Sequence, residues 1–252
     1  MTTKEALFIY SSRLADDSLI LSHRLSEWCG HGPILEEDIA MTNIALDLLG
    51  QATSFLEYAG EVENKGRTAD DIAFLRLERE YTNCLLVEQP NGDFGKTMVR
   101  QFLFDVYHFY LFQALTSSKD VQLAAIAEKS LKEVTYHLKH SSEWVIRLGD
   151  GTAESHQRVQ EALNTLWRFT GELFDMDTVD ELMMKEGIGV DLAKIKLLYD
   201  DHVKDVLAKA TLSIPDNNYM QKGGRKGVHS EHLGFLLTEM QYMQRTYPGM
   251  TW

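Results

Sequence analysis

VQLAAIAEKSLKEVTYHLKHSSEWVIRLGDG, residues 121–151, is the stretch whose pattern decides the fold. Leu131, Val134, Leu138, Val145 and Leu148 recur at intervals of three, four and seven. That spacing gathers side chains on one face of an α-helix, whereas a half-buried strand would alternate at every second residue. The LGDG segment supplies a C-terminal stop, so the pattern predicts a helix over about 121–148. Immediately upstream the same period runs over about 93–117, with Asp93 as N-cap after the Pro-Asn-Gly turn of EQPNGDFG.

Two further long helices precede these. One, at about 35–62, carries Ile39, Ile44, Leu48, Phe55 and Ala59. The other, at about 5–30, carries Leu14, Leu21, Leu25 and Trp28 as an inward stripe and stops at Gly30, Gly32 and Pro33. Shorter helices are predicted at about 70–84, 153–174, 191–209 and 229–245, with a loop-rich stretch at FDMDTVDELMMKEGIGVD and an irregular linker containing SIPDNNY and KGGRKG. Four long helices are the minimum for a bundle. The expected architecture is therefore all-α: a four-helix bundle in a single domain, 1–252, with additional peripheral and C-terminal helices.

Bulk properties narrow the function. The 252 residues are 44% hydrophobic, with four prolines and 17 glycines spread thinly, a poor composition for strands and turns. A net charge of -13 argues against nucleic acid or an anionic membrane surface as partner. Cys29 and Cys84, the two cysteines, provide neither a disulfide framework nor a thiolate zinc site. The N-terminus lacks a basic segment followed by an apolar run, and no apolar stretch reaches about 20 residues. A cytoplasmic protein, neither exported nor membrane-spanning, is expected. No Gly-x-Ser-x-Gly, phosphate-binding loop or dinucleotide fingerprint occurs, and KGGRKG reads as a solvated linker rather than a phosphate-binding loop.

The ionisable residues on the long helices suggest a specific comparison. Carboxylate-bridged di-iron bundles take an acid from each of two helices and a Glu-x-x-His pair from each of the others. Here the first helix offers Asp16 and Asp17, and the third offers Asp105 on a stripe with Met98, Phe102, Phe109 and Phe112. On the second helix the pair becomes Asp47-Leu48-Leu49-Gly50, with glycine where histidine is needed. On the fourth, Tyr136 occupies the third position after Glu133, and His137 follows one residue late. The remaining set, Asp105, His108, Glu133 and His137, falls short of the six or so ligands of an oxygen-activating di-iron centre. An iron-free polar network of those four, with Asp47 and Gln51 one turn apart, is expected instead, because buried acids require partners. His23, His31, His140, His156 and His202 are dispersed and receive no role.

Six segments in order carry a family resemblance over nearly the whole chain: RLSEWCGHGP (24–33), ALDLLGQA (45–52), LLVEQPNGDF (85–94), RQFLFDVYH (100–108), LWRFTGELFD (166–175) and the terminal HSEHLGFLLTEMQYMQRTYPGMTW. They resemble the structural subunit of phenylacetyl-CoA epoxidase, a ferritin-like protein. The resemblance implies a cytoplasmic complex in which a homologous catalytic subunit holds the di-iron centre while this chain, without catalytic residues, metal or cofactor of its own, pairs with it and keeps it folded. It also implies a small accessory subunit and a reductase carrying FAD and an iron-sulfur cluster, which together convert phenylacetyl-CoA to its ring-1,2-epoxide. Residues that border the CoA ester in the family correspond here to Glu80, Tyr81, Thr82, Asn83, Glu181, Leu182 and Met183, with Tyr81 as a candidate to stack on adenine. The partner is expected on an exposed helical face and on the C-terminal helix, where Leu233, Leu236, Leu237, Met240 and Met243 share a stripe. The rival expectation is a self-sufficient di-iron oxygenase or oxidase built on Asp105, His108, Glu133 and His137.

Overall fold

A computed structural model describes residues 1–216 and 219–250. Asn217 and Asn218 of the SIPDNNY linker, and Thr251 and Trp252 of the terminal motif, lie outside them. The chain is all-helical, of the ferritin-like helical class. Its helices are α1 (Thr3–Ser26), α2 (Leu35–Glu63), α3 (Ala69–Phe74), α4 (Phe94–Leu115), α5 (Val121–Gly149), α6 (Ala153–Leu166), α7 (Thr178–Glu186), α8 (Leu192–Lys209), α9 (Glu231–Met240) and α10 (Tyr242–Thr246). Contacts divide the chain into two compact units, residues 1–90 with 223–252, and residues 91–222.

In the first unit α1 and α2 form a long helical hairpin. Thr2 and Glu5 close a reciprocal capping box at the start of α1, satisfying two of the amides that a helix N-terminus leaves without intrahelical acceptors. α1 is buried around nearly its whole circumference, including Asp16, Asp17, Arg13 and Arg24. α2 is buried on one face, through Met41, Ile44, Leu48, Phe55 and Ala59. The Ser22 hydroxyl donates to the Ala45 carbonyl at 2.8 Å, pinning the pair together. Ile39, expected inside, is exposed, and Trp28 lies half-buried in turns beyond the end of α1.

The predicted helix at 70–84 is corrected most. A capping box at Thr68 and Asp71 starts α3, which ends after six residues. A 3₁₀ turn at Glu78–Glu80 follows, and the chain then runs without regular secondary structure through a buried stretch to Pro90. The last helix is likewise interrupted, α9 giving way to α10 at the buried Gln241.

The second unit is built on the α4–α5 hairpin, with α6 and α8 packed on both. Asp93 and Asp120 cap α4 and α5 by accepting the Lys96 and Leu123 amides at 2.8 and 2.9 Å. α4 buries Met98, Phe102 and Phe112, while Phe109 is only half-buried. α5 buries Val134, Leu138 and Val145, leaving Leu131 and Leu148 at the edge of its stripe. The helix predicted at 153–174 ends at Leu166 and continues as two 3₁₀ turns, and the loop-rich stretch contains α7.

These packing roles differ measurably. Phe102→Ala should cost about 3–5 kcal/mol, because a fully buried ring leaves a cavity. Ile39→Ala should change stability by less than about 0.5 kcal/mol in the isolated chain. Urea unfolding followed by circular dichroism distinguishes the two; equal midpoint shifts would contradict the packing described.

Candidate functional site

The adjacent acids of α1 do not line a common site. Successive residues on a helix point about 100° apart, and Asp16 and Asp17 accordingly meet different partners. Asp16 takes a two-pronged ion pair from the Arg76 guanidinium, and its Oδ2 also accepts the Thr82 amide at 2.8 Å and the Thr82 hydroxyl at 3.1 Å. Asp17 takes the Arg225 guanidinium at 2.9 and 2.7 Å and the Cys84 amide at 2.7 Å. Both carboxylates are buried. Burial alone would lower the Arg76 pKa, but the charge and hydrogen bonds of Asp16 outweigh it and hold the guanidinium above its usual value.

These acids hold the non-helical stretch after α3. Its peptide groups are buried without a helix or sheet to pair them, so side chains must do so. Arg76 donates to the Glu80 carbonyl and Arg225 to the Thr82 carbonyl, each at 3.0 Å. Arg24 donates to the Glu88 carbonyl at 3.1 Å and to the His232 carbonyl at 3.0 Å. The Glu88 carboxylate accepts the Asn83 side-chain amide at 3.0 Å and the Ser230 amide at 2.6 Å. His229 lies with Nδ1 2.9 Å from Glu88 Oε2 and Nε2 2.9 Å from the Tyr81 carbonyl. An imidazole whose two nitrogens both face acceptors is best satisfied as the doubly protonated cation. Burial opposes that charge, but Glu88 and the Tyr81 carbonyl overcome it and raise the His229 pKa.

KGGRKG is a clasp rather than a solvated linker. A side chain on Gly224 would place its Cβ 2.2 Å from the Asn83 carbonyl oxygen, and one on Gly227 would lie 2.1 Å from that of Arg79. Gly227 also has a φ of +70°. The two glycines let the loop approach closely enough for Arg225 to reach Asp17.

In the second unit Asp105 is fully buried between its own helix and α5. It accepts the Gln101 side-chain amide and the Ser141 hydroxyl, both at 2.7 Å. Burial pushes its pKa up to about 6, against the opposing influence of His137 and the two hydrogen bonds. His108 is not a hydrogen-bonding member of this group. Its ring packs between Phe104 and Phe112, tilted to the first and edge-on to the second with centroids 4.8 and 4.1 Å away, and its Nδ1 has no hydrogen-bond partner among the described residues. Burial, with His137 nearby, lowers its pKa to about 3, so it is neutral.

Of the expected four-residue network, Asp105 bonds to Gln101 and Ser141 and feels the buried His137 electrostatically, while His108 packs among aromatic rings. Glu133 and Asp47 are half-exposed, and Gly50 is exposed, with open space where a side chain would stand. The Asp47–Gly50 pair thus does not lie on the buried stripe of α2. Among the described residues no three His, Cys, Asp or Glu side chains are grouped to hold a metal ion.

Two comparisons with known proteins agree. The family model described as "Phenylacetic acid catabolic protein" matches residues 1–252. A relative from Escherichia coli (strain K12), one of the subunits of 1,2-phenylacetyl-CoA epoxidase, is 50% identical over 246 residues, covering 98% of this chain and 99% of its own. This chain belongs to the phenylacetic acid catabolic protein family.

In this member of the family, the residues matched to the CoA border fall into two segments, one in each unit. Glu80 is exposed and its carboxylate accepts the Leu77 amide at 2.6 Å. Tyr81 is fully buried, its ring beneath the Arg76 guanidinium at 4.1 Å and its hydroxyl bonded to the Ala73 carbonyl. Burial pushes its pKa up to about 12, and no ring face remains for adenine. Thr82 is half-buried on Asp16, and Asn83 is buried on Glu88. On α7, Glu181 is exposed, Leu182 half-buried and Met183 buried. Sequence reasoning missed Arg76, Glu88, Arg225 and His229. Their partners lie 60, 141 and 208 residues away, beyond any local spacing rule.

Arg76→Ala leaves Asp16 buried without its counter-charge and should cost about 3–5 kcal/mol, read from urea midpoints; a loss below about 1 kcal/mol would contradict the role assigned. His229 gives a pH signature. Because its folded pKa is raised, its contribution is complete below about pH 6.5 and is lost as pH rises through the higher folded value. The stability difference between the wild-type chain and His229→Gln should therefore shrink from pH 6 to 9. A difference that grew over that range would show the opposite sign of shift.

Proposed function

We propose that this chain is the non-catalytic structural subunit of a multicomponent phenylacetyl-CoA 1,2-epoxidase of aerobic phenylacetate breakdown, pairing with a homologous ferritin-like subunit that holds the di-iron centre. The near full-length similarity to a protein named as a subunit of that enzyme supports the assignment. The observation that carries the non-catalytic part is the commitment of both α1 acids to arginine. A bridging carboxylate needs free lone pairs facing a cation, whereas Asp16 and Asp17 spend theirs on Arg76, Arg225, Thr82 and the Cys84 amide. The half-exposed Glu133 and the neutral, aromatic-packed His108 support the same reading against a self-sufficient oxygenase.

In this reading iron belongs to the partner, while FAD and the iron-sulfur cluster belong to the reductase. A small accessory subunit completes a cytoplasmic complex acting on phenylacetyl-CoA. No helix among the described residues is long and apolar enough to cross a membrane, which is compatible with that setting. Of the residues matched to the acyl-CoA border, Glu80 and Thr82 in the first unit and Glu181 and Leu182 in the second offer exposed or half-exposed side chains, while Tyr81, Asn83 and Met183 are buried. Of the C-terminal stripe, Leu233, Leu236, Leu237 and Met240 are buried and serve the core of the first unit, whereas Met243 is 41% exposed and stays available to a partner.

Metal counting decides the central point. The chain purified alone should hold far less than one iron per molecule, and its complex with the homologous subunit should hold two, all retained when Glu133 of this chain becomes Ala. Stoichiometric iron in the isolated chain, lost in Glu133→Ala, would overturn the proposal.

A further inference from the structure

The Asn-Gly pair ahead of α4 combines features that the proposed function does not use. Asn91 is half-buried, and the Arg100 guanidinium donates to its side-chain oxygen Oδ1 at 2.8 Å. Arg100 is 1% exposed, so this donor acts where little water competes with it. Gly92 is exposed, and its amide has no hydrogen-bond partner among the described residues. Its φ of +62°, with the Lys96 side chain 2.7 Å from where a Cβ would stand, reserves the position for glycine. The Asn91 carbonyl accepts the Thr97 hydroxyl at 3.0 Å, which fixes the peptide plane between Asn91 and Gly92.

The amide nitrogen that follows an asparagine can close a five-membered ring on the side-chain carbonyl carbon, and a glycine nitrogen is the least hindered. Here that N–H is uncommitted, and negative charge developing on Oδ1 meets a guanidinium already in place. We propose that Asn91–Gly92 is a self-modification site, at which Arg100 promotes cyclisation of Asn91 to a succinimide that hydrolyses to aspartate or isoaspartate. Hydroxide takes the Gly92 amide proton as the nitrogen bonds to Cγ of Asn91. The Cγ–Nδ2 bond then breaks, and the side-chain nitrogen leaves as ammonia with a proton from water. Water opens the ring at either carbonyl, and no oxidation or reduction occurs. The aspartate product faces Arg100 as an ion pair, whereas isoaspartate adds a main-chain atom ahead of Asp93, the N-cap of α4. The site is independent of the pairing proposed above.

The test follows residue 91 of the full chain at mildly alkaline pH, by mass spectrometry of proteolytic peptides with isoaspartate separated by chromatography. A reaction driven by local sequence alone runs fastest in the unfolded chain. The native wild-type chain should instead lose the Asn91 amide at least as fast as the same chain in urea, because folding brings Arg100 to Oδ1. Arg100→Leu should slow the native reaction about tenfold or more and leave the rate in urea unchanged. Should that variant fail to fold, the wild-type comparison alone decides. Asn91→Gln, whose ring would be one atom larger, should keep its amide throughout. An amide retained in the native chain but lost in urea would overturn the proposal, as would an unchanged native rate in folded Arg100→Leu.

Discussion

A buried stretch of chain without secondary structure must find partners for its peptide groups, and that requirement organises the first unit. Residues 81–89 include a run of fully or largely buried positions where neither helix nor strand pairs the backbone. The fold meets the requirement with charged side chains from opposite ends of the sequence. Asp16 and Asp17 come from α1, Arg225 and His229 from the segment that follows the second unit. The α1 acids are buried because the stretch needs acceptors, and Arg76 and Arg225 follow because buried carboxylates need cations.

This arrangement connects fold to function. Acids from the inner faces of long helices are the raw material of a carboxylate-bridged metal centre, and here they are consumed in joining one segment to another. Asp105, in the second unit, is similarly committed to Gln101 and Ser141. His108, three residues on, packs as an aromatic among aromatics. In both units these buried acids serve as structural ties between segments of the chain.

Periodicity revealed most of the helices because helical burial has a local signature. α4 and α5 begin at Asp93 and Asp120 and end within a residue or two of where spacing and the LGDG stop place them. The same signature misled beyond α3, where a 3₁₀ turn and an irregular buried path held by distant side chains replace the expected helix, and at Ile39, whose helical spacing serves the outer face. The family was legible from six ordered motifs. The ion pairs were not, because Arg225 meets Asp17 across 208 residues and only the folded chain brings them together. KGGRKG looked like a flexible linker since glycines that permit close packing and glycines that permit motion are identical in sequence.

The most direct measure of whether these side chains hold the segment is native-state hydrogen exchange at the Thr82 and Cys84 amides, which donate to Asp16 and Asp17, in the chain alone without added iron. Protection comparable to core amides of α2, such as those of Leu48 and Phe55, is predicted, because opening this stretch requires breaking buried ion pairs. Exchange as rapid as that of a surface turn such as Gly66 would contradict it.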